Sequence, residues 1–229
     1  EWLRSFELRD EDGQADKASK RTFIVDDIDG LLHIANLGCI PMHILGGRQG
    51  SLEMCDFLTI DFDLGGQPLR HAVTLALALA QLLDELGLTG FPKTSGQTGL
   101  HVLVPLGPNV HYKTARVLTE LLGRILTASH PLIATMERVV ERRGPKIYVD
   151  TGQTGRARTI VAPFSVRAVV PATVSTPLSW GELNAALDPA AFTIFSVPHR
   201  LVELGNPMAD LLEVRPDVSA AVEKLSAYV

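Results

Sequence analysis

In the stretch DFLTIDFDL (56–64), Asp61 and Asp63 stand one residue apart inside a segment that otherwise has the composition of a buried strand. Successive strand side chains point to opposite faces, so the two carboxylates share one face while Ile60, Phe62 and Leu64 take the other. Carboxylates about 6 to 7 Å apart along a strand can each ligate a hard divalent cation or bridge two of them. Two-metal phosphoryl-transfer sites hold their ions about 3.5 to 4 Å apart, and oxygen donors suit Mg²⁺ or Mn²⁺. A lone D-x-D is also what an edge strand with one wet face would carry. Asp150 adds to the metal reading, because it closes the apolar run KIYVD (146–150) directly before a glycine-containing turn, where a third carboxylate can complete the cage.

A second element faces phosphate chemistry. In KTSGQTGLHVLVPL (93–106), Ser95, Gly96 and Gly99 form a turn feeding a strand that begins at His101. Glycines let backbone N–H groups converge on an anion, Ser95 adds a hydroxyl and His101 an imidazole N–H. The G-x-x-x-x-G-K-[ST] spacing of a P-loop is absent. In RTIVAPFSVRA (158–168), alternation puts Thr159, Ser165 and Arg167 on one face, and a guanidinium there can grip a triphosphate. A plain β-turn and a surface salt bridge are the competing explanations of these two elements. His43, within the apolar stretch CIPMHIL (39–45), reads on composition as a satisfied core histidine.

The elements that must position these residues follow from periodicity and punctuation. Helices are expected over 26–38, 68–88, 111–129 and 132–143, with short ones near 180–187 and 217–228. The 68–88 helix opens on Pro68 and closes at Gly87. Extended segments are expected at 39–45, 56–63, 100–106, 146–150 and 158–168, the last two joined by the turn TGQTGRA. The pattern is α+β, with central mixed or antiparallel sheets flanked by helices, and with no internal repeat or linker.

Composition bounds the rest. The 229 residues are 46% hydrophobic and 21% charged, an ordinary folded chain of one compact unit. The longest apolar run, 72–83, is shorter than the roughly 18 to 20 residues of a membrane span, and with no basic n-region and apolar h-region at its start no signal peptide is expected. Cys39 and Cys55 lack metal-ligand spacing and read as buried, reduced thiols. The net charge of −5 hides a basic stripe over 137–167, with Arg138, Arg142, Arg143, Lys146, Arg156, Arg158 and Arg167 against Glu137, Glu141 and Asp150. Such a stripe on an acidic body can track phosphates, since the local field governs; a solvated helix face is the alternative.

The order DFLTIDFD, KTSGQTGLHVLVPL, IYVD…RTIVAPFSVRA and VSTPLSWGEL resembles the polymerase domain of bacterial ATP-dependent DNA ligase D, within the archaeo-eukaryotic primase superfamily. The resemblance runs from about residue 22 to about 213. It implies a primase-like catalytic core in which Asp61, Asp63 and Asp150 bind two Mn²⁺ or Mg²⁺ ions, with Ser95, Gly96 and His101 on the nucleotide's phosphates and Arg167 on its triphosphate. It also brings in His43, which matches a site histidine of that family. The implied activity is template-directed addition of NTPs or dNTPs to a primer 3′-OH, filling gaps in DNA with a downstream 5′-phosphate during non-homologous end joining. The implied partners are Ku and a DNA ligase domain, and the implied location is the bacterial cytoplasm at the nucleoid, without a membrane. Gln97 and Thr98 stand where the family places Gly-Lys or Gly-Arg, and Gln153-Thr154 where it places Gln-Asn. An N-terminal segment that helps to hold DNA in the family is not found in residues 1 to 20, so a separate N-terminal lobe is an expected partner. Two other readings stay open: a noncatalytic binder of DNA ends, and an aspartate-nucleophile phosphohydrolase. The second fits poorly, because Leu64 and Gly65 follow the D-x-D where Thr and then Leu or Val would be expected.

Overall fold

The computed structural model describes residues 3–8, 20–225 and 228. Its centre is a five-stranded sheet built from β4 (Phe57–Asp63), β5 (Phe91–Thr94), β6 (Leu100–Pro105), β7 (Ala134–Thr135) and β8 (Ile147–Asp150), in the order β5-β6-β4-β8-β7. All neighbours are antiparallel except β7 and β8, which run parallel. Two small antiparallel ladders complete the strands: β1 (Arg4–Leu8) with β2 (Lys20–Ile24), and β3 (His43–Leu45) with β9 (Thr159–Val161). The helices are α1 (Ile28–Asn36), α2 (Leu69–Leu86), α3 (Tyr112–Ser129), α4 (Ser196–Leu204) and α5 (Val218–Leu225).

The sheet has one apolar and one polar face, as the period-2 pattern of β4 requires. Leu58, Ile60 and Phe62 of β4, Leu100, Val102 and Val104 of β6, and Ile147 and Val149 of β8 are buried against α2, α3 and α5 in a single core. Helix α2 supplies Ala72, Leu75, Ala76, Leu79, Leu82, Leu83 and Leu86 at three- and four-residue intervals, which places them on one stripe. It begins after Pro68 and stops at Gly87, whose φ of 73° is the left-handed turn that glycine adopts without strain. On the other face Phe57, Leu103, Ile160, Met208 and Leu211 form a smaller apolar cluster beside the polar residues.

Four expectations are corrected. Residues 132–143 are not a helix: they hold β7 and a 3₁₀ turn at Val140–Arg142, and Ile147 N–H donates to the Ile133 carbonyl in the ladder beside β8. The strand expected over 158–168 ends at Val161, because Pro163 has no N–H to donate and Phe164 sits at φ 63°. Nor do β8 and β9 form one hairpin, since they belong to different sheets. Cys55 is buried as expected, whereas Cys39 is exposed. Strand β5 and helix α4 were not anticipated.

Leu79, fully buried in α2, and Leu77, 38% exposed on the same helix, separate core packing from helix propensity. Leu79→Ala is expected to lower stability by about 2 to 5 kcal/mol in urea denaturation, and Leu77→Ala by well under half of that.

Candidate active site

Cross-strand register assembles the site. Lys93 of β5 lies opposite His101 of β6, His101 opposite Asp61 of β4, and Asp61 opposite Asp150 of β8. Four polar residues thus form one row across the sheet's polar face. Two residues along β4, Asp63 lies opposite Tyr148, and Ser95 N–H donates to the Gly99 carbonyl in line with them, which makes a second row. Asp61, Asp63, Asp150, Ser95, His101, Arg167 and His43 all line one pocket of about 500 Å³. Gly96 lies behind its wall, against Arg167 and Ser175.

The carboxylates repel each other. Burial, then the charges of Asp150 and Asp63, push the Asp61 carboxyl up to about 7, against partial relief from Lys93. Asp63 faces Arg143, whose guanidinium lies 3.3 Å from Oδ2 and stacks 3.8 Å from the centre of the Tyr148 ring. Asp150 accepts from Gly152 N–H at 2.7 Å and from Gln153 Nε2 at 3.0 Å. Among the described residues no three His, Cys, Asp or Glu side chains close around a common point. The donor set itself is three hard carboxylates on adjoining strands, sharing one pocket and held under mutual repulsion, and that set fits divalent cations.

The turn after Asp150 is fixed by Thr154. Strand β8 has ended there, so Thr59 of β4 finds its hydrogen bonds instead at the buried Thr154 hydroxyl, which accepts from Thr59 N–H at 2.9 Å and donates to its carbonyl at 3.3 Å. The opposite wall is the Ser95–Gly99 loop. Ser95 Oγ accepts from Gln97 N–H at 3.1 Å and Gly99 N–H at 3.0 Å, leaving its O–H to donate into the pocket. Gly96 has φ 75°, and a Cβ there would meet Ser175 N at 2.8 Å; one on Gly99 would meet the Phe62 carbonyl oxygen at 2.6 Å. Both close approaches need glycine.

His101 is buried, with Nε2 3.4 Å from Asp61 Oδ1 and Nδ1 without a partner. Burial, with Lys93 and Arg167 adding, lowers its pKa well below the usual imidazole value, so the ring is neutral at pH 7. His43 is at the rim, opposite Val161 in the β3–β9 ladder, and is lowered by partial burial and by Arg167. Arg167 is carried by a narrow hairpin: its N–H donates to the Thr173 carbonyl at 2.8 Å, and Ser175 N–H donates to that of Ser165 at 2.9 Å.

Residue types alone singled out none of four further members as site residues, although Arg143 was part of the basic stripe and Gln153 entered with the resemblance. Tyr148 alternates with Asp150 and Lys93 with Ser95, so the period-2 signal was present for both. Arg143 and Gln153 sit in turns, where no periodicity marks an inward side chain.

A family model for the LigD primase-polymerase domain matches residues 1–208. The chain belongs to that family. It is 33% identical over 197 residues to the bifunctional non-homologous end joining protein LigD of Bacillus subtilis, covering 84% of this chain and 32% of that protein. It is 33% identical over 215 residues to the multifunctional non-homologous end joining DNA repair protein LigD of Mycobacterium tuberculosis, covering 90% of this chain and 28% of that protein. The polymerase domain of Mycobacterium tuberculosis ligase D, solved in complex with DNA, superposes with a TM-score of 0.80 at 28% identity over 94% of this chain and 76% of that one. The chain thus spans about a third or less of the length of these full-length relatives. Membership supports the expected α+β primase-like fold, makes this a nucleotidyltransferase-type domain of a metal-dependent family, and removes the phosphohydrolase reading.

The raised Asp61 carboxyl has a measurable consequence. Between its ordinary value of 3.8 and about 7, folded Asp61 keeps a proton that the unfolded chain has lost, so stability falls as pH rises through that window. In chelator-treated protein, Asp61→Asn should match wild type near the lower bound. It should gain on wild type by at most about 1.4 kcal/mol per pH unit up to the higher one, then hold constant. A pH-independent offset in thermal unfolding would contradict this.

Proposed function

We propose that this domain transfers nucleotides from NTPs or dNTPs to a primer 3′-OH under template direction, filling short gaps in end-joining repair. The observation that carries the proposal is the single pocket in which Asp61, Asp63 and Asp150 face the Ser95–Gly99 loop and Arg167. One wall suits cations and the other suits phosphates, the two halves that nucleotidyl transfer needs.

In this reading Asp61, Asp63 and Asp150 hold two divalent ions, Mn²⁺ or Mg²⁺. Ions bound there supply charge neutralisation at the reacting phosphate and lower the pKa of the attacking hydroxyl. Ser95 donates its O–H to the triphosphate, and the backbone turned by Gly96 and Gly99 keeps that donor in place. Arg167 grips the same group with its planar fork of donors. His101, neutral and sunk into the sheet, keeps Asp61 oriented from the adjoining strand and borders the phosphate wall. Arg143 balances Asp63, while Gln153 and the Gly152 N–H set the rotamer of Asp150. His43 closes the rim beside Thr159 and Val161. These groups are fixed by ladders and hairpins before substrate arrives, so positioning and charge stabilisation do most of the work.

The substrates in this proposal are gapped or end-joined DNA with a downstream 5′-phosphate and a nucleoside triphosphate. A solved relative in complex with DNA and relatives named for end joining support it. Ku and a ligase domain are the proposed protein partners, and the cytoplasm at the nucleoid is the proposed place of action; the expectation about an N-terminal segment falls largely on residues outside the described ones. No helix of the described residues is long and apolar enough to cross a membrane.

The test is extension of a primer on gapped, 5′-phosphorylated DNA with Mn²⁺ and each NTP or dNTP. Wild type is expected to add templated nucleotides and the Asp61→Ala, Asp63→Ala double variant to be at least about 10³-fold slower. Equal extension by the double variant, or none by wild type that still binds Mn²⁺ and nucleotide, would overturn the proposal.

A further inference from the structure

Lys93 has no exposed surface. Burying an ammonium costs several kcal/mol even after partial compensation, and an apolar side chain of the same volume would commonly be neutral or stabilising there. The cost is visible in its titration: burial lowers the amine to about 7, with Asp61 favouring the charged form and Arg167 opposing it. Something other than stability accounts for a lysine at this position.

Its contacts show what it reaches. Lys93 Nζ donates to Ser175 Oγ and, at 3.4 Å, to the Thr94 carbonyl, while Ser175 Oγ donates to that carbonyl at 2.8 Å. The three groups close a small buried ring between β5 and the hairpin 165–175. Thr94 N–H donates to the Thr176 carbonyl, Thr176 N–H donates to Thr94 Oγ1, and Leu178 N–H donates to the Pro92 carbonyl, so the chain after Ser175 lies along β5 like an added strand. Ser175 N–H bonds back to Ser165, and two residues further along each arm Arg167 N–H bonds to Thr173. Thr173 Oγ1 donates to the Gly96 carbonyl. The space a Gly96 Cβ would need is already taken by Ser175 N and by the Arg167 side chain, at 2.8 and 2.7 Å. The hairpin, the Ser95–Gly99 loop and β5 therefore meet at Ser175, and Lys93 fastens them from beneath.

We infer that Lys93 is a positioning residue for the triphosphate: by clasping Ser175 it fixes the 165–175 hairpin against the Ser95–Gly99 loop and sets where the Arg167 guanidinium meets the phosphates. This rests on the nucleotidyl-transfer reading above. Lys93 acts through Ser175 and the hairpin, without touching the nucleotide.

A double-mutant cycle of Lys93→Met, Ser175→Ala and their combination tests it, with nucleotide Kd, Mn²⁺ Kd without nucleotide, and the KM and kcat of extension as readouts. Each single change is expected to weaken nucleotide binding and raise KM about tenfold, and the combination no more than about twofold further, because both remove one clasp. The kcat at saturating nucleotide should stay within about threefold of wild type for each, and Mn²⁺ affinity within about threefold for Ser175→Ala, which leaves Lys93 beside Asp61. Unchanged nucleotide affinity in folded variants, a multiplicative hundredfold loss in the combination, or a loss confined to kcat or Mn²⁺ binding would overturn the inference. Should Lys93→Met fail to fold, the Ser175→Ala limb decides alone by its split between KM and kcat. A wild type that binds no nucleotide sinks the nucleotidyl reading and this inference together. A wild type that binds and extends beside unimpaired variants sinks only the role of Lys93.

Discussion

Three carboxylates share one face of a sheet, two of them directly opposite each other in an antiparallel pair, and the rest of the structure answers that repulsion. Like charges on facing strand positions are destabilising, and Asp61 also lies deep in the pocket, where water screens it poorly, while Asp63 reaches solvent. The protein meets the problem from three sides. Arg143 leans onto Asp63 across the Tyr148 ring, Lys93 stands in the same cross-strand row as Asp61, and the turn after β8 gives Asp150 two hydrogen-bond donors. Even so, Asp61 is left with a carboxyl that resists ionisation. A sheet built for stability alone would place threonine or valine at these positions, so the strain points to a function.

The apolar face carries the energetic burden of that arrangement. Strands β4, β6 and β8 turn alternate residues into the core that α2, α3 and α5 share, while their other face carries Asp61 and Asp63 from β4, His101 from β6, and Tyr148 and Asp150 from β8. A register slip of one residue in β4 would send Asp61 and Asp63 into the helices and Ile60 and Phe62 into the pocket. The same alternation that builds the core thus specifies the site.

This coupling explains which parts were legible in the sequence. Strand β4 was readable because one face is wholly apolar while the other carries Thr59, Asp61 and Asp63 after Phe57, and α2 because Pro68 and Gly87 bracket an apolar stripe. The site residues on regular strands, Asp61, Asp63, Asp150 and His101, follow from that reading, and Ser95 from its glycine neighbours. Illegible were the parts whose order comes from distant partners. Strand β5 contains Pro92, tolerable only because β5 is the last strand of its sheet and is joined beyond by an irregular segment. The segment 132–143 has enough apolar residues for a helix, yet Ile147 draws it into the ladder. Arg167 falls in the pocket by way of a hairpin and not by continued strand alternation. Lys93 shares the period-2 signal of Ser95, but lysines are almost never fully buried, and only the structure shows the Ser175 hydroxyl that receives it.

The same distinction bears on Gln97 and Thr98, the loop positions where the sequence resemblance led to the expectation of a basic residue. Both are exposed, and a cation there would be screened by water and salt on all but one side. The backbone work of the loop is done by other atoms, the Ser95 hydroxyl and the two glycine close approaches, and these are intact. Positive charge reaches this wall from Arg167 on the hairpin, with the Lys93 amine beneath it adding charge only while protonated, since burial lowers it to about 7. The anion wall therefore draws its field from the floor and flank of the pocket, and the neutral loop leaves the geometry of phosphate contact to the backbone and to Ser95.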